Sequence, residues 1–384
     1  GPGAGGAADP SRKPPPPEAP PRKGRPAARQ SNECTSLLAA GETAEGLRCY
    51  SQHHAHSRKP GVGEGDFETT WLKLRHDAEL LEHLGDGRLR RRFRGAPALF
   101  RKILAAADAY RRRPTQSFKM QIPDERDREL WSSVHNRNVY TPPSAKKHLA
   151  TVVNPRLDFG AIEDLYFARA ANVSADAKCL GADAGGWVVV DDVFEPAALE
   201  ALRSYLTEST FYYFPKFGGR YLSSLLEDGM AAPLLAQAAR ELQRHFPRIL
   251  GRHPLRTAWA FKFDNALNDT ADAPGKQLGV GVHADSAAVN LNFWPIEAGP
   301  ADRGGMVLYK VGAPPEMEFQ EFNDPKYLGS LTETAAREDI GYRANRLVIF
   351  NSNLLHETGR LHFAPGYLRR RINLTLLFGK RCER

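Results

Sequence analysis

GVGVHADSAAVNLNFW, residues 279–294, alternates like a strand and carries His283 and Asp285 two positions apart. Successive side chains on a strand point to opposite faces, so His283 and Asp285 project together while Ala284 points away. Both then reach one ion. The chain holds no other His-x-Asp or His-x-Glu. Downstream, IFNSNLLHET (349–358) places His356 at the end of another strand about seventy residues on, enough chain to return to a neighbouring strand.

The segments around this stretch are also strand-like. LRTAWAFKFD (255–264), GGMVLYKV (304–311), ANRLVIFNSNLLHET (344–358) and RRRINLTLLFG (369–379) are separated by Gly, Pro, Asn and Asp clusters. Many short strands with such turns predict a sandwich or jelly roll. GGWVVVDDVF (185–194) adds a strand, and PAALEALRSYLTES (196–209) and PLLAQAARELQRHFPRIL (233–250) read as amphipathic helices, each opened by proline. The expected class is α+β, a double-stranded β-helix (jelly-roll, cupin-like) core with flanking helices and a helical N-terminal region.

Three segments follow from texture: 1–65 disordered or linker, 66–180 helical, and 181–384 the strand-rich domain. Residues 1–33 are rich in Pro, Ala and Arg and bury too little apolar area to offset their ordering entropy. His53, His54 and His56 follow in a polar stretch that reads as a solvated loop ahead of a metal site. TTWLKLRHDAELLEHL (69–84) has helical spacing, and IEDLYFARA (162–170) is a second helix. RLRRRFRGAPALFRKILAAADAYRRR (88–113) is either a nucleic-acid or acidic-partner patch or an amphipathic helical region with a solvated basic face; the latter is favoured, since no aromatics interleave the charged side.

The 384 residues, 41% apolar and 26% charged with net charge +8, suit a folded protein, and the charge permits acidic partners without demanding them. Cys34, Cys49, Cys179 and Cys382 lie far apart with no CxxC, so neither a disulfide framework nor a zinc knuckle is expected. An intracellular, reducing compartment is the default, cytoplasm or plastid. Three sequons occur, at Asn172, Asn268 and Asn373, the last inside an apolar strand where a sugar has no room. No run reaches the roughly 18 apolar residues of a membrane helix, and no signal peptide is marked. The first residue is Gly rather than Met, so an N-terminal address is not legible.

Two neutral imidazoles and one carboxylate on one face of an octahedral ion are the donor set of non-haem Fe(II) oxygenases, with positions left for a chelating co-substrate and O2. His283, Asp285 and His356 fit it, although one HxD alone is a weak signal. In RRRINLTLLFG, Arg371, Asn373 and Thr375 share a face and Ile372, Leu374 and Leu376 the other. A guanidinium inside a barrel requires a carboxylate partner, supplied either by a dicarboxylate co-substrate or by a protein acid. Arg369 has the same parity and is the fallback.

HADSAAVNLNFW, GGMVLYK, YRANRLVIFNSNLLHET and GYLRRRINLTLLFG, in that order, resemble the Fe(II)/2-oxoglutarate-dependent dioxygenases, in particular a branch found in bacteria, often with tetratricopeptide repeats, and in algae. The resemblance covers roughly 185–380 and extends to YLSSLLEDGMAAPLLAQAARELQRHFPRIL and LRTAWAFKFDN. It implies His283, Asp285 and His356 as ligands of Fe(II), Arg371 as the grip on 2-oxoglutarate, and hydroxylation (or desaturation) of a small-molecule or peptide substrate with O2, releasing succinate and CO2. The Arg-x-Asn-x-Thr face also looks like the last core strand of alkyl-repair demethylases, which supports Arg371 and brings in Asn373. A nucleic-acid or peptide-directed demethylase and a non-catalytic cupin-like binding protein are the rivals, and nucleic acid is not favoured. No tetratricopeptide array is present here.

Other side chains keep two readings. Asn292 either bonds the co-substrate or makes ordinary ladder and turn bonds. Phe261 and Phe263 either wall the pocket or belong to the core. Glu357 either orients the ligand set or faces solvent, Ser286 is undecided, and Trp294 and Tyr309 read as packing.

Overall fold

In the computed structural model the described residues are 26–56, 66–85, 89–170, 185–216, 219–265 and 279–382. The chain starts with α1 (Pro26–Ala39) and α2 (Thr43–His56), then β1 (Asp66–Thr70), α3 (Trp71–Gly85), α4 (Ala96–Ala106), β2 (Ser117–Gln121), α5 (Glu125–Val134) and α6 (Phe159–Arg169). Next come β3 (Trp187–Val190), α7 (Pro196–Glu208), β4 (Phe214–Lys216), β5 (Tyr221–Leu225), α8 (Pro233–His245), α9 (Pro247–Leu250) and β6 (Leu255–Phe263). β7 (Val289–Trp294), β8 (Met306–Gly312), α10 (Pro325–Glu333), β9 (Arg337–Ile340), β10 (Arg346–Asn351), β11 (Leu354–Thr358) and β12 (Ile372–Phe378) complete it.

Seven strands form one sheet in the order β3-β10-β7-β12-β6-β5-β4, three form a second in the order β11-β8-β9, and all pairs are antiparallel. β12 is central and buried on both faces. Ile372, Leu374 and Leu376 join Leu291 and Phe293 of β7 in the main core, against Leu202, Leu234, Leu235 and Leu242 of α7 and α8. α8 presents that apolar stripe at helical spacing behind a proline at its first turn. The opposite face meets the small sheet, where Trp187, Trp294, Val348 and Phe350 pack on Met306, Leu308, Ile340 and Leu354. The architecture is thus helices on one face of a large antiparallel sheet and a small antiparallel sheet on the other.

The helical N-terminal region has its own core, with Phe67, Trp71, Leu74, Leu81, Phe100 and Trp131 buried together. α3 runs where the 69–84 pattern places it. In the basic stretch, Arg90, Arg91, Arg92 and Arg94 lie exposed in a turn, and α4 behind it buries Leu99, Phe100 and Ile103 while Arg101 pairs with Glu82 and Lys102 with Asp127. That is an amphipathic helix with a solvated basic side.

Two expectations fail at the start of the chain. Residues 26–39 and 43–56, read as disordered or linker, form a helical hairpin whose Cys34, Leu38, Leu47 and Tyr50 enter the main core. The cysteines, for which no disulfide framework is expected from spacing, are bonded: Cys34 and Cys49 form a disulfide at a Cα–Cα distance of 5.3 Å, Cys382 is also disulfide-bonded, and no described cysteine is free. The pairing comes from antiparallel helices and so leaves no CxxC in the sequence. A reducing compartment no longer follows from the cysteines. The side chains of His53, His54 and His56, and the sequons at Asn172 and Asn268, lie outside the described residues; Asn373 is buried. Among the described residues no helix is long and apolar enough to cross a membrane.

Candidate metal centre

His283 and Asp285 do not sit on the strand expected for 279–294, which begins only at Val289. They lie on the irregular segment leading into it. His283 is tied to β11 by a reciprocal backbone pair with His356, N–O distances 3.0 and 2.9 Å, and the Asp285 N–H donates to Ser352 O at 3.0 Å. Backbone pairing to the small sheet, rather than strand parity, thus brings the three side chains to one point.

Their ligand atoms all lie within 4.8 Å of one another. His283 Nε2 is 3.8 Å from Asp285 Oδ1 and His356 Nε2 is 3.4 Å from Asp285 Oδ2. His283 Nδ1 lies 2.8 Å from Gly281 O and His356 Nδ1 lies 2.9 Å from Leu354 O. A carbonyl only accepts, so both Nδ1 atoms carry the proton and both Nε2 atoms are bare. Two lone-pair nitrogens therefore face a carboxylate, an arrangement that a cation resolves. Burial and then the neighbouring His356 push His283 down to about 4, leaving it neutral near pH 7. Asp285 is buried, which opposes its charge, yet its polar surroundings of His356, His283 and Asn290 hold it below the usual carboxylate range. Asn290 Nδ2 donates to Asp285 Oδ2 and orients it. The donor set fits a divalent metal of the non-haem iron type.

The same pocket lies between the two sheets. Trp259, Phe261 and Phe263 of β6 line it, with Asn292, Arg371, Asn373 and Thr375 from the large sheet and Met306, Glu357 and Thr358 from the small one. Arg371 is 3% exposed. It donates from Nε to Gly304 O, lies 3.5 Å from Gly305 O through Nη2, and stacks on Phe263 at 4.6 Å and Trp294 at 5.7 Å. No described carboxylate pairs with it, and burial pushes it down to about 10. Arg369, the fallback, is held by Asp302 at 2.6 Å. A protein acid is thus not Arg371's partner among the described residues. Arg371 and the three converging donors thus line one and the same pocket.

Asn292 and Asn373 both reach this pocket but hold each other. Asn373 Nδ2 donates to Asn292 Oδ1 at 2.8 Å and to Thr375 Oγ1 at 2.9 Å, Thr375 Oγ1 donates to Asn292 Oδ1 at 2.7 Å, and Trp294 Nε1 donates to Asn373 Oδ1 at 2.7 Å. This closed set fixes β7 against β12 beside Arg371. Phe261 and Phe263 do wall the pocket, Trp294 is fully buried, and Ser286 is exposed. Glu357 borders the pocket and accepts from Tyr309 Oη at 2.7 Å. Sequence reasoning missed Asn290 as the partner of Asp285, because Asp285 lies on irregular backbone, and it missed the Gly304 carbonyl under Arg371, which precedes β8 and has no periodic signature.

No family model matches the chain, and no curated protein does. Solved structures do. A non-heme alpha-ketoglutarate-dependent epimerase from nogalamycin biosynthesis aligns at 13% identity and TM-score 0.40 over 58% of this chain and 84% of that one. A Pseudomonas putida prolyl-4-hydroxylase aligns at 14% identity and TM-score 0.37 over 58% and 99%, and a 2OG-Fe(II) oxygenase family oxidoreductase from Burkholderia pseudomallei at 10% and 0.35 over 62% and 98%. The chain is similar to these iron and 2-oxoglutarate oxygenases at low identity.

Proposed function

We propose that the chain is an Fe(II)- and 2-oxoglutarate-dependent dioxygenase whose catalytic domain is residues 181–384, a double-stranded β-helix, with 66–180 as its helical N-terminal region. The observation that carries this reading is the pairing of two features in one pocket: three converging metal donors and a buried arginine with no carboxylate partner among the described residues. His283, Asp285 and His356 would hold Fe(II), and Arg371 would pair with the far carboxylate of 2-oxoglutarate. The bound group would supply O2-dependent oxidation of a substrate C–H bond, by default hydroxylation, with release of succinate and CO2.

The chain's own contribution is placement. The Gly281 and Leu354 carbonyls hold both imidazoles in the tautomer that presents Nε2, and Asn290 sets the carboxylate. Phe263 and Trp294 fix the guanidinium plane and keep water from it, which strengthens its pairing with an anion. Trp259, Phe261 and Val280 leave an apolar side on which a substrate is placed.

Anaerobic addition of Fe(II) and then 2-oxoglutarate should give a weak visible charge-transfer band, and admitting O2 should give succinate even without substrate. His283→Ala or Asp285→Ala should abolish both. Protein that binds no iron, or turnover that survives the loss of Asp285, ends the proposal.

A further inference from the structure

Arg370, beside Arg371, faces the other way. It is 1% exposed, and its Nη2 and Nε reach Glu79 Oε2 of α3 at 2.8 and 3.1 Å, with Asp264 Oδ1 at 3.8 Å from Nη2. Arg75, also on α3, closes the set: its Nη1 meets Asp264 Oδ1 at 3.0 Å and its Nε meets Glu79 Oε1 at 2.8 Å. Two cations and two anions thus alternate around a ring of balanced charge. Asp264 follows the last residue of β6, and Arg370 lies two residues before β12. The ring therefore pins two neighbouring strand ends to one helix.

On the opposite side of those same strand ends lie Phe263 and Arg371, the ring and the guanidinium stacked at 4.6 Å in the pocket. Their backbones are joined as well, Phe263 N–H donating to Arg371 O at 2.9 Å. Side chains alternate, so whatever fixes residues 264 and 370 from the helix side also fixes 263 and 371 on the pocket side.

We propose that Glu79, with Arg75, is a positioning residue for the site: the α3 clamp sets where Arg371 sits, so the N-terminal region tunes affinity for the co-substrate dicarboxylate and not for the metal. This inference rests on the reading of Arg371 as the carboxylate grip. Glu79 touches neither the metal donors nor the pocket, and acts through Arg370.

The test uses the full chain loaded with Mn(II) and titrated with 2-oxoglutarate by calorimetry, and substrate-free conversion of 2-oxoglutarate to succinate with Fe(II). Glu79→Gln should weaken 2-oxoglutarate binding about tenfold, as loss of an outer supporting partner does. Its KM should rise in step, with Mn(II) affinity and kcat within about twofold of wild type, a spread well below that loss. Arg75→Gln should follow in the same direction with a smaller shift, and Arg370→Lys, which keeps the charge and loses the fork, should fall between wild type and Glu79→Gln. Lys102→Gln, which breaks the remote exposed pair with Asp127, should move nothing. If Glu79→Gln lowers the melting temperature while 2-oxoglutarate binding stays at the wild-type value, the clamp is structural only and the proposal falls. Should wild-type protein bind Mn(II) but no 2-oxoglutarate, the reading of Arg371 falls with it.

Discussion

Arg370 and Arg371 are adjacent, of one type, and 1% and 3% exposed, yet the two faces of the sheet treat them oppositely. On the helix side, burial opposes the charge of Arg370 but Asp264 and Glu79 overcome it and raise its pKa. On the pocket side burial stands almost alone, and Arg371 is pushed down to about 10. A buried cation paired within the protein supports the fold; one left without a carboxylate costs stability unless a ligand supplies the missing charge. The helix face is therefore closed by partners within the chain, whereas on the pocket face no carboxylate among the described residues meets Arg371.

The sharpest way to break this comparison is to replace each arginine with Met. Arg370→Met leaves Arg75 as the one cation of the ring against the two carboxylates of Glu79 and Asp264, and should lower unfolding free energy by about 3 kcal/mol, measured by denaturant titration. Arg371→Met should leave the ligand-free protein as stable as wild type or more so. Equal losses for the two variants would remove the distinction.

On the helix side again, the Cys34–Cys49 bond closes a loop of 15 residues, and Cys34→Ser should cost about 3 kcal/mol in the same titration without altering metal binding. On the pocket side, Arg371→Met should weaken 2-oxoglutarate binding to the Mn(II) form by roughly 10- to 100-fold, the value of one or two charge-assisted hydrogen bonds. An unchanged affinity would place the co-substrate elsewhere.

The smallest expected effect is the response to acid. Burial pushes His135, beside Asp77 of α3, down to about 4 from its ordinary 6.5. The unfolded chain binds this proton before the folded one does, so the contribution is complete above pH 6.5 and declines as pH falls towards 4. Stability should fall by about 1–2 kcal/mol between pH 6.5 and 5, and His135→Gln should flatten part of that slope. A slope identical in the variant would show that His135 is not its source.

Much of the pocket face was legible in residue order. Along β12 and the residue before it, parity puts Arg371, Asn373 and Thr375 on one side, and they line the pocket; on β7, Asn290, Asn292 and Trp294 share a face turned away from the main core. These positions follow from a period of two, which any extended segment obeys whatever it packs against. The same rule misread 279–288 as strand, although His283 and Asp285 still converged, because backbone bonds to His356 and Ser352 replaced the ladder. The helical hairpin at 26–56 is hidden because its first helix begins inside the Pro- and Arg-rich stretch 1–33 and few of its positions are apolar.

What the sequence by itself determined was the set of chemical groups and the faces of the strands that carry them: two histidines, an aspartate, and an arginine on the inner side of the last strand. What only the tertiary structure decided was which of those groups have partners. Arg370 meets Glu79 across 291 residues of chain, and Cys34 meets Cys49 between two helices. Pairing energy depends on separation in space and on burial, and a linear period encodes neither.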